Sequence, residues 1–185
     1  MKPLHIITPV KDSIASTLET AEAILSSDIR TPFTYTIYND FSTPENTATL
    51  EQFVALQGGR MRLVNLADIT SHPSPNYLLV LQMTQQRALE EGADLLIIES
   101  DVVVRPNTIQ ALVDGAAERA DCGIAASVTV NDQGEINYPY EYARGREGEC
   151  YAVKRHCTSA ARCSQTTCSG RMISTPCSLR NTGST

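Results

Sequence analysis

Apolar residues fall along this chain in two rhythms that take turns. The run Leu4-His5-Ile6-Ile7-Thr8, stopped by Pro9, has the length and content of a buried strand. Ile14, Leu18, Ala21 and Leu25 then recur at helical spacing over residues 13–27, where Ser16-x-x-Glu19 has the form of a capping box. Residues 33–38 are rich in β-formers and predict a second strand. Thr43 before Pro44 reads as an N-cap with proline at the first helical position. Leu50, Phe53, Val54 and Gln57 carry that helix to Gly58-Gly59.

Residues 61–66 predict a third strand. Ser74-Pro75 repeats the helix-start signal, and residues 76–91 form a long helix closed by Gly92. A fourth strand spans residues 94–99, and Arg105-Pro106-Asn107 opens a helix with Ile109, Leu112, Val113 and Ala116 on one face. A strand at 123–130, a turn at 131–134 and an extended segment at 135–142 follow; Pro139 keeps the last off any central position. The alternation predicts an α/β fold of Rossmann type, a mostly parallel sheet with helices on both faces.

After Arg155 the pattern stops. Residues 151–185 hold 12 Ser and Thr, four Cys and only four residues from Val, Ile, Leu, Met and Phe. Such a segment buries too little apolar surface to offset its ordering entropy. The chain therefore divides into a folded domain, 1–155, and an irregular tail, 156–185, that reads as disordered or foreign to the fold, as a shifted reading frame would produce. Cys157, Cys163, Cys168 and Cys177, with His156, match no zinc spacing. Cys122, alone in an apolar run, reads as core.

Charge sharpens the division. Ten Lys and Arg against 21 Asp and Glu give residues 1–150 a net charge of −11, while the remainder has five basic residues and no acid. An acidic body excludes a general nucleic-acid binder. It leaves room for a phosphorylated small molecule, because a bridging metal reverses the local charge. No apolar run is long enough for a transmembrane segment, and residues 1–7 lack the form of a secretory signal, so the chain reads as cytoplasmic. The first strand is followed by Pro9-Val10-Lys11-Asp12 rather than G-x-G-x-x-G, which excludes a dinucleotide-binding unit. No P-loop is present. Lys11 and Asp12 read as solvated loop residues.

The chemistry concentrates at Leu95-Leu96-Ile97-Ile98-Glu99-Ser100-Asp101, an apolar run ending in two carboxylates. Ligands of open α/β sheets bind beyond the carboxyl ends of such strands. If the strand stays extended, Glu99 and Asp101 project to one side. Carboxylates suit Mg²⁺ or Mn²⁺, which commonly complete their shells with substrate phosphates. Read alone, these are a strand end with ordinary surface acids.

Four features in register resemble the nucleotide-sugar-binding half of GT-A-fold glycosyltransferases of the inverting family two, over residues 3–155. They are Thr8-Pro9-Val10 after the first strand, Asn39-Asp40-x-Ser42 after the second, Gly92-Ala93-Asp94 feeding a strand that closes in an acidic triplet, and Pro106 opening a helix shortly after. The resemblance implies a GT-A-like fold and transfer of a sugar from a nucleoside-diphosphate sugar, most commonly a UDP-sugar, to an acceptor hydroxyl. It implies that Thr8, Pro9 and Val10 lie against the nucleoside and that Asp40 hydrogen-bonds the nucleobase. It places Glu99 and Ser100 at the donor and Asp101 on the metal, Mg²⁺ or Mn²⁺. The family usually writes Asp-Asp-Gly-Ser where this chain has Asn39, Asp40, Phe41 and Ser42, and Glu99 is one methylene longer than the usual acid. Asp40 has a structural alternative, capping the loop that follows its strand.

Inversion needs a base. No carboxylate follows Glu149, and Glu141, Glu147 and Glu149 arrive early for that role, so the catalytic base is unassigned and the chain reads as a truncated transferase. The alternatives are a non-catalytic nucleotide-binding fragment and another α/β metal-dependent phosphoryl-transfer enzyme.

Overall fold

The computed structural model describes residues 2–120, 122–130, 151–154 and 172–174. Its elements run β1 (Leu4–Val10), α1 (Ile14–Leu25), β2 (Phe33–Asn39), α2 (Pro44–Leu56), β3 (Arg62–Asn65), α3 (Tyr77–Glu91), β4 (Asp94–Ile97), α4 (Thr108–Ala117), β5 (Cys122–Ala126), β6 (Tyr151–Lys154) and β7 (Met172–Ser174). The strands form one sheet in the order β3-β2-β1-β4-β7-β5-β6. Every pairing is parallel except β5 with β6. The expected α/β architecture is therefore present.

Alternation along the strands sends side chains to two cores. Leu4, Ile6, Tyr35, Ile37, Leu96 and Ile98 pack with Ala21 and Ile24 of α1, Leu50 of α2 and Ile109, Leu112 and Ala116 of α4. Ile7, Tyr38, Leu95 and Ile97 pack with Val80 and Ala88 of α3. Both faces of the sheet are thus covered, as strands apolar on both sides require. Cys122 is buried in the first of these cores, as its setting predicts.

Local signals decide where the helices start and stop. Thr43 caps α2, its hydroxyl accepting the Asn46 N–H at 3.3 Å, with Pro44 at the first position. Thr43→Ala is expected to destabilise the fold by about 1 kcal/mol, read as a lower urea midpoint at unchanged slope. Gly92 ends α3 at φ +62, the left-handed conformation for which glycine is suited. One expected start holds and one moves. α1 begins just after Ser13, where it was expected, and the Ser16-x-x-Glu19 box lies within the helix. α3 begins at Tyr77, because Asn76, not Ser74, is its N-cap residue.

The tail was expected to hold no element, yet Met172–Ser174 forms β7 between β4 and β5. The turn expected at 131–134, the extended segment at 135–142 and the cysteine-rich remainder of the tail lie outside the described residues.

Candidate donor-binding site

The order β3-β2-β1-β4 contains a switch point. From β1 the chain winds outward through β2 to β3, then returns to place β4 on the other side of β1. A crevice opens at the carboxyl ends of strands diverging this way. A cleft of about 240 Å³ lies there, lined by Pro9, Val10, Lys11, Asp40, Ser74, Pro75, Tyr77, Val80 and Glu99. That volume is below the range typical of drug-sized ligands, so it can enclose only part of a nucleotide sugar.

The rim is built by two loops tied together. Asp40 follows β2, and its N–H donates to the Val10 carbonyl at 2.8 Å, prolonging the β1–β2 ladder by one step. Lys11 Nζ donates to the Phe41 carbonyl at 2.9 Å, and the Asp12 N–H donates to Ser42 Oγ at 2.9 Å. Asp12 Oδ1 accepts from the Thr43 N–H at 2.7 Å and from Asn46 Nδ2 at 3.0 Å. These bonds, the one from Thr43 first, hold the Asp12 carboxyl below the usual carboxylate range. Asp12 and Phe41 both sit at positive φ, +57 and +58. At Phe41 the left-handed backbone accounts for the glycine of the related pattern.

Asp40 is tied to the residues before α3 by three hydrogen bonds. Its Oδ2 accepts from Ser74 Oγ at 2.8 Å and from the Asn76 N–H at 2.8 Å, while Oδ1 accepts from Asn76 Nδ2 at 2.7 Å. The residue is buried. Burial pushes its pKa up, but the Asn76 and Ser74 bonds and the charge of Lys11 outweigh it, leaving a lowered value. Asp40 therefore does fasten a loop, though the loop is 72–76 rather than the one that follows its own strand.

The sequence-predicted residues divide. Pro9, Val10, Asp40 and Glu99 meet in the cleft. Thr8 does not: it is fully buried and bonded to Tyr35 across the core, Tyr35 Oη donating to Thr8 Oγ1 at 3.1 Å. Burial raises the Tyr35 phenol well above its ordinary pKa. β4 ends at Ile97, and the Val102 N–H turns back to the Glu99 carbonyl at 3.3 Å. The extended geometry expected of Glu99 and Asp101 is thus replaced by a turn. Glu99 stays in the cleft, its Oε1 accepting from Tyr77 Oη at 2.8 Å, while half-buried Ser100 and exposed Asp101 are not among its lining.

Lys11, Ser74, Pro75 and Tyr77 are cleft residues that sequence reasoning missed. Position just past β1 was a usable signal for Lys11, since that is where open sheets bind ligands. Nothing local marks Ser74, in the loop before α3, or Tyr77, the first residue of that helix.

Among the described residues no group of three or more His, Cys, Asp or Glu could hold a metal ion unaided. The donor set present, one exposed carboxylate at Asp101 beside a Glu99 already engaged by Tyr77, fits a cation that takes its remaining ligands from phosphate and water. No helix among the described residues is long and apolar enough to cross a membrane.

No protein-family model matches the chain, and no curated protein does. Solved structures do. The mannosyltransferase PcManGT from Pyrobaculum calidifontis, in complex with GDP-Man and Mn²⁺, superposes with a TM-score of 0.55 at 15% identity, covering 70% of this chain and 36% of that one. S. aureus TarS in complex with UDP gives a TM-score of 0.56 at 16% identity, covering 76% of this chain and 40% of that one. The TarS complex with UDP-GlcNAc gives 0.54 at 16% identity, covering 76% and 38%. The chain has the GT-A glycosyltransferase fold, and it spans about 36–40% of the length of these structures.

Proposed function

We propose that this chain is the donor-binding portion of an inverting, metal-dependent glycosyltransferase of family two, using a nucleoside-diphosphate sugar. The observation that carries the proposal is the meeting of Pro9, Val10, Asp40 and Glu99, from the ends of three different strands, in one cleft at the switch point of a GT-A sheet. Asp40, held ionised by its neighbours, offers an acceptor to a nucleobase N–H. Asp101, in the turn after Glu99, is the carboxylate for Mg²⁺ or Mn²⁺. Such a cation, when bound, offsets the charge of a departing nucleoside diphosphate. The fold is shared with proteins solved with GDP-Man and with UDP-GlcNAc, which supports a nucleotide sugar as the ligand class.

A second reading, donor binding without transfer, is favoured by one feature: the two carboxylates that line the cleft are engaged within the protein, Asp40 by Ser74 and Asn76 and Glu99 by Tyr77. Incubation of the full chain with UDP-sugars and Mn²⁺, followed by assay of released UDP, tests the first reading. Release that vanishes on chelation is expected of a transferase. Binding without release supports the second reading, and neither binding nor release overturns both.

A further inference from the structure

Glu99 is a long acid for its place in the cleft. Its extra methylene adds a rotatable bond, so its carboxylate has more freedom to lose than an aspartate when a ligand fixes it. The structure already restrains that freedom: Tyr77 Oη donates to Glu99 Oε1 at 2.8 Å. Resting on the donor-site reading above, we infer that Tyr77 is a positioning residue for donor binding. Its hydroxyl tethers the longer acid, so that Glu99 meets the ligand with its torsions already set.

A tether works only if it is itself fixed, and Tyr77 is held from two sides. It is the first residue of α3 and follows Asn76, whose N–H and side-chain amide both donate to Asp40, at 2.8 and 2.7 Å. One turn further on, Val80 is buried in the core under α3 and lines the same cleft. Residues three apart share a helix face, so this first turn presents Tyr77 and Val80 to the cleft together. The tyrosine ring has only two side-chain torsions and makes a stiff arm. Asp40 follows β2 and Glu99 follows β4, and β1 lies between those strands. Residues 76 and 77 therefore join the two carboxylates of the cleft through one rigid helix start, the setting in which a site is held most closely to its working geometry.

The bond restrains Glu99 without using it up. A carboxylate accepts about four hydrogen bonds, two on each oxygen. Tyr77 fills one of them, on Oε1. Glu99 is half-buried and lines the cleft, so its remaining positions stay within reach of a ligand. Ordering one rotamer-rich side chain on binding weakens affinity by roughly three- to tenfold, and a side chain ordered beforehand avoids that loss.

Titration of the full chain with UDP and with GDP, each with Mn²⁺, tests the inference, the tighter binder serving as the reporter. Tyr77→Phe keeps the ring and removes only the hydroxyl; it should raise the dissociation constant by about three- to tenfold. Glu99→Ala removes the tethered group, and in that background Tyr77→Phe should change the constant by less than about twofold, the non-additivity expected of two residues acting as one unit. A hydroxyl that touched the ligand directly, or that served only the packing of α3, would weaken binding equally in both backgrounds, and that result overturns the inference. So does a Tyr77→Phe variant that binds as tightly as wild type. Glu99→Asp supplies a second background should Glu99→Ala fail to fold. The shorter acid has less freedom to restrain, so the effect of Tyr77→Phe should shrink there, and an undiminished effect overturns the inference while leaving the donor site standing. Failure of wild type to bind either nucleotide overturns the donor-site reading and the inference with it.

Discussion

Asp40→Ala should destabilise the chain by about 3 kcal/mol and erase nucleotide binding in the same step. Three donors lose their acceptor: the Ser74 hydroxyl, the Asn76 N–H and the Asn76 side-chain amide. Hydrogen bonds to a charged group contribute about 1.5–3 kcal/mol each, and the cost rises when the abandoned donor is buried. Asn76 is buried, so its two donors cannot simply turn to solvent. Ser74 is only half-buried, so its hydroxyl can turn to water, which holds the total below the sum of three full losses. For a chain of this size 3 kcal/mol corresponds to a fall in Tm of about 6–12 °C.

The same bonds give the prediction a pH signature. The folded pKa of Asp40 is lowered, so its contribution is complete above the unfolded carboxylate value of 3.8 and is lost as pH falls through the lowered value. Wild type should therefore lose stability on acidification more steeply than Asp40→Ala, so the gap between the two curves should narrow below pH 3.8. Thermal melts from about pH 2 to pH 7 read both effects. A variant within 1 kcal/mol of wild type at pH 7 would show that Asp40 does not hold the 72–76 loop.

The central elements could be read from the chain because their causes are local. Thr43-Pro44 and Gly92 act through their own backbone, and the alternation of Leu95 to Ile98 between two cores needs only a period of two. Pro9 misled, since proline usually ends a strand. Its place in β1 makes the exception clear. Ile7 turns its carbonyl toward β4, where the Ile98 N–H reaches it, and Pro9, two residues on, faces the same way. β4 has ended by then, so the missing N–H of Pro9 removes no ladder bond. Thr8 misled for the opposite reason. It occupies the position the family pattern assigns to the ligand, yet alternation turns it inward to Tyr35.

The cleft itself was half visible. Residues at strand ends, Asp40 and Glu99, follow from topology alone. The partners that fix them, Ser74, Asn76 and Tyr77, lie 34, 36 and 22 positions away along the chain. No periodicity carries that information. Asn39 shows the same limit: its side chain is spent on Thr47, Asn65 and the Ser42 N–H, a structural role that its place in the motif conceals.

Asp101→Ala should abolish the difference between UDP binding with Mn²⁺ and UDP binding with chelator. The carboxylate is exposed, at a turn past the end of β4, so its loss leaves the packed core untouched and stability in the absence of ligand within about 0.5 kcal/mol of wild type. Ligand-linked stability is where the effect falls. At a hundredfold excess over its dissociation constant a ligand stabilises the folded state by about 2.7 kcal/mol. A tenfold weakening through the lost metal removes about half of that. Glu99→Gln offers the contrast. Its acceptor oxygen remains available to Tyr77 Oη, and the metal increment should survive in reduced form. If Mn²⁺ still tightens UDP in Asp101→Ala and no longer does so in Glu99→Gln, the cation belongs to Glu99. The turn that carries Asp101 away from the cleft lining would then be its bound-state geometry as well.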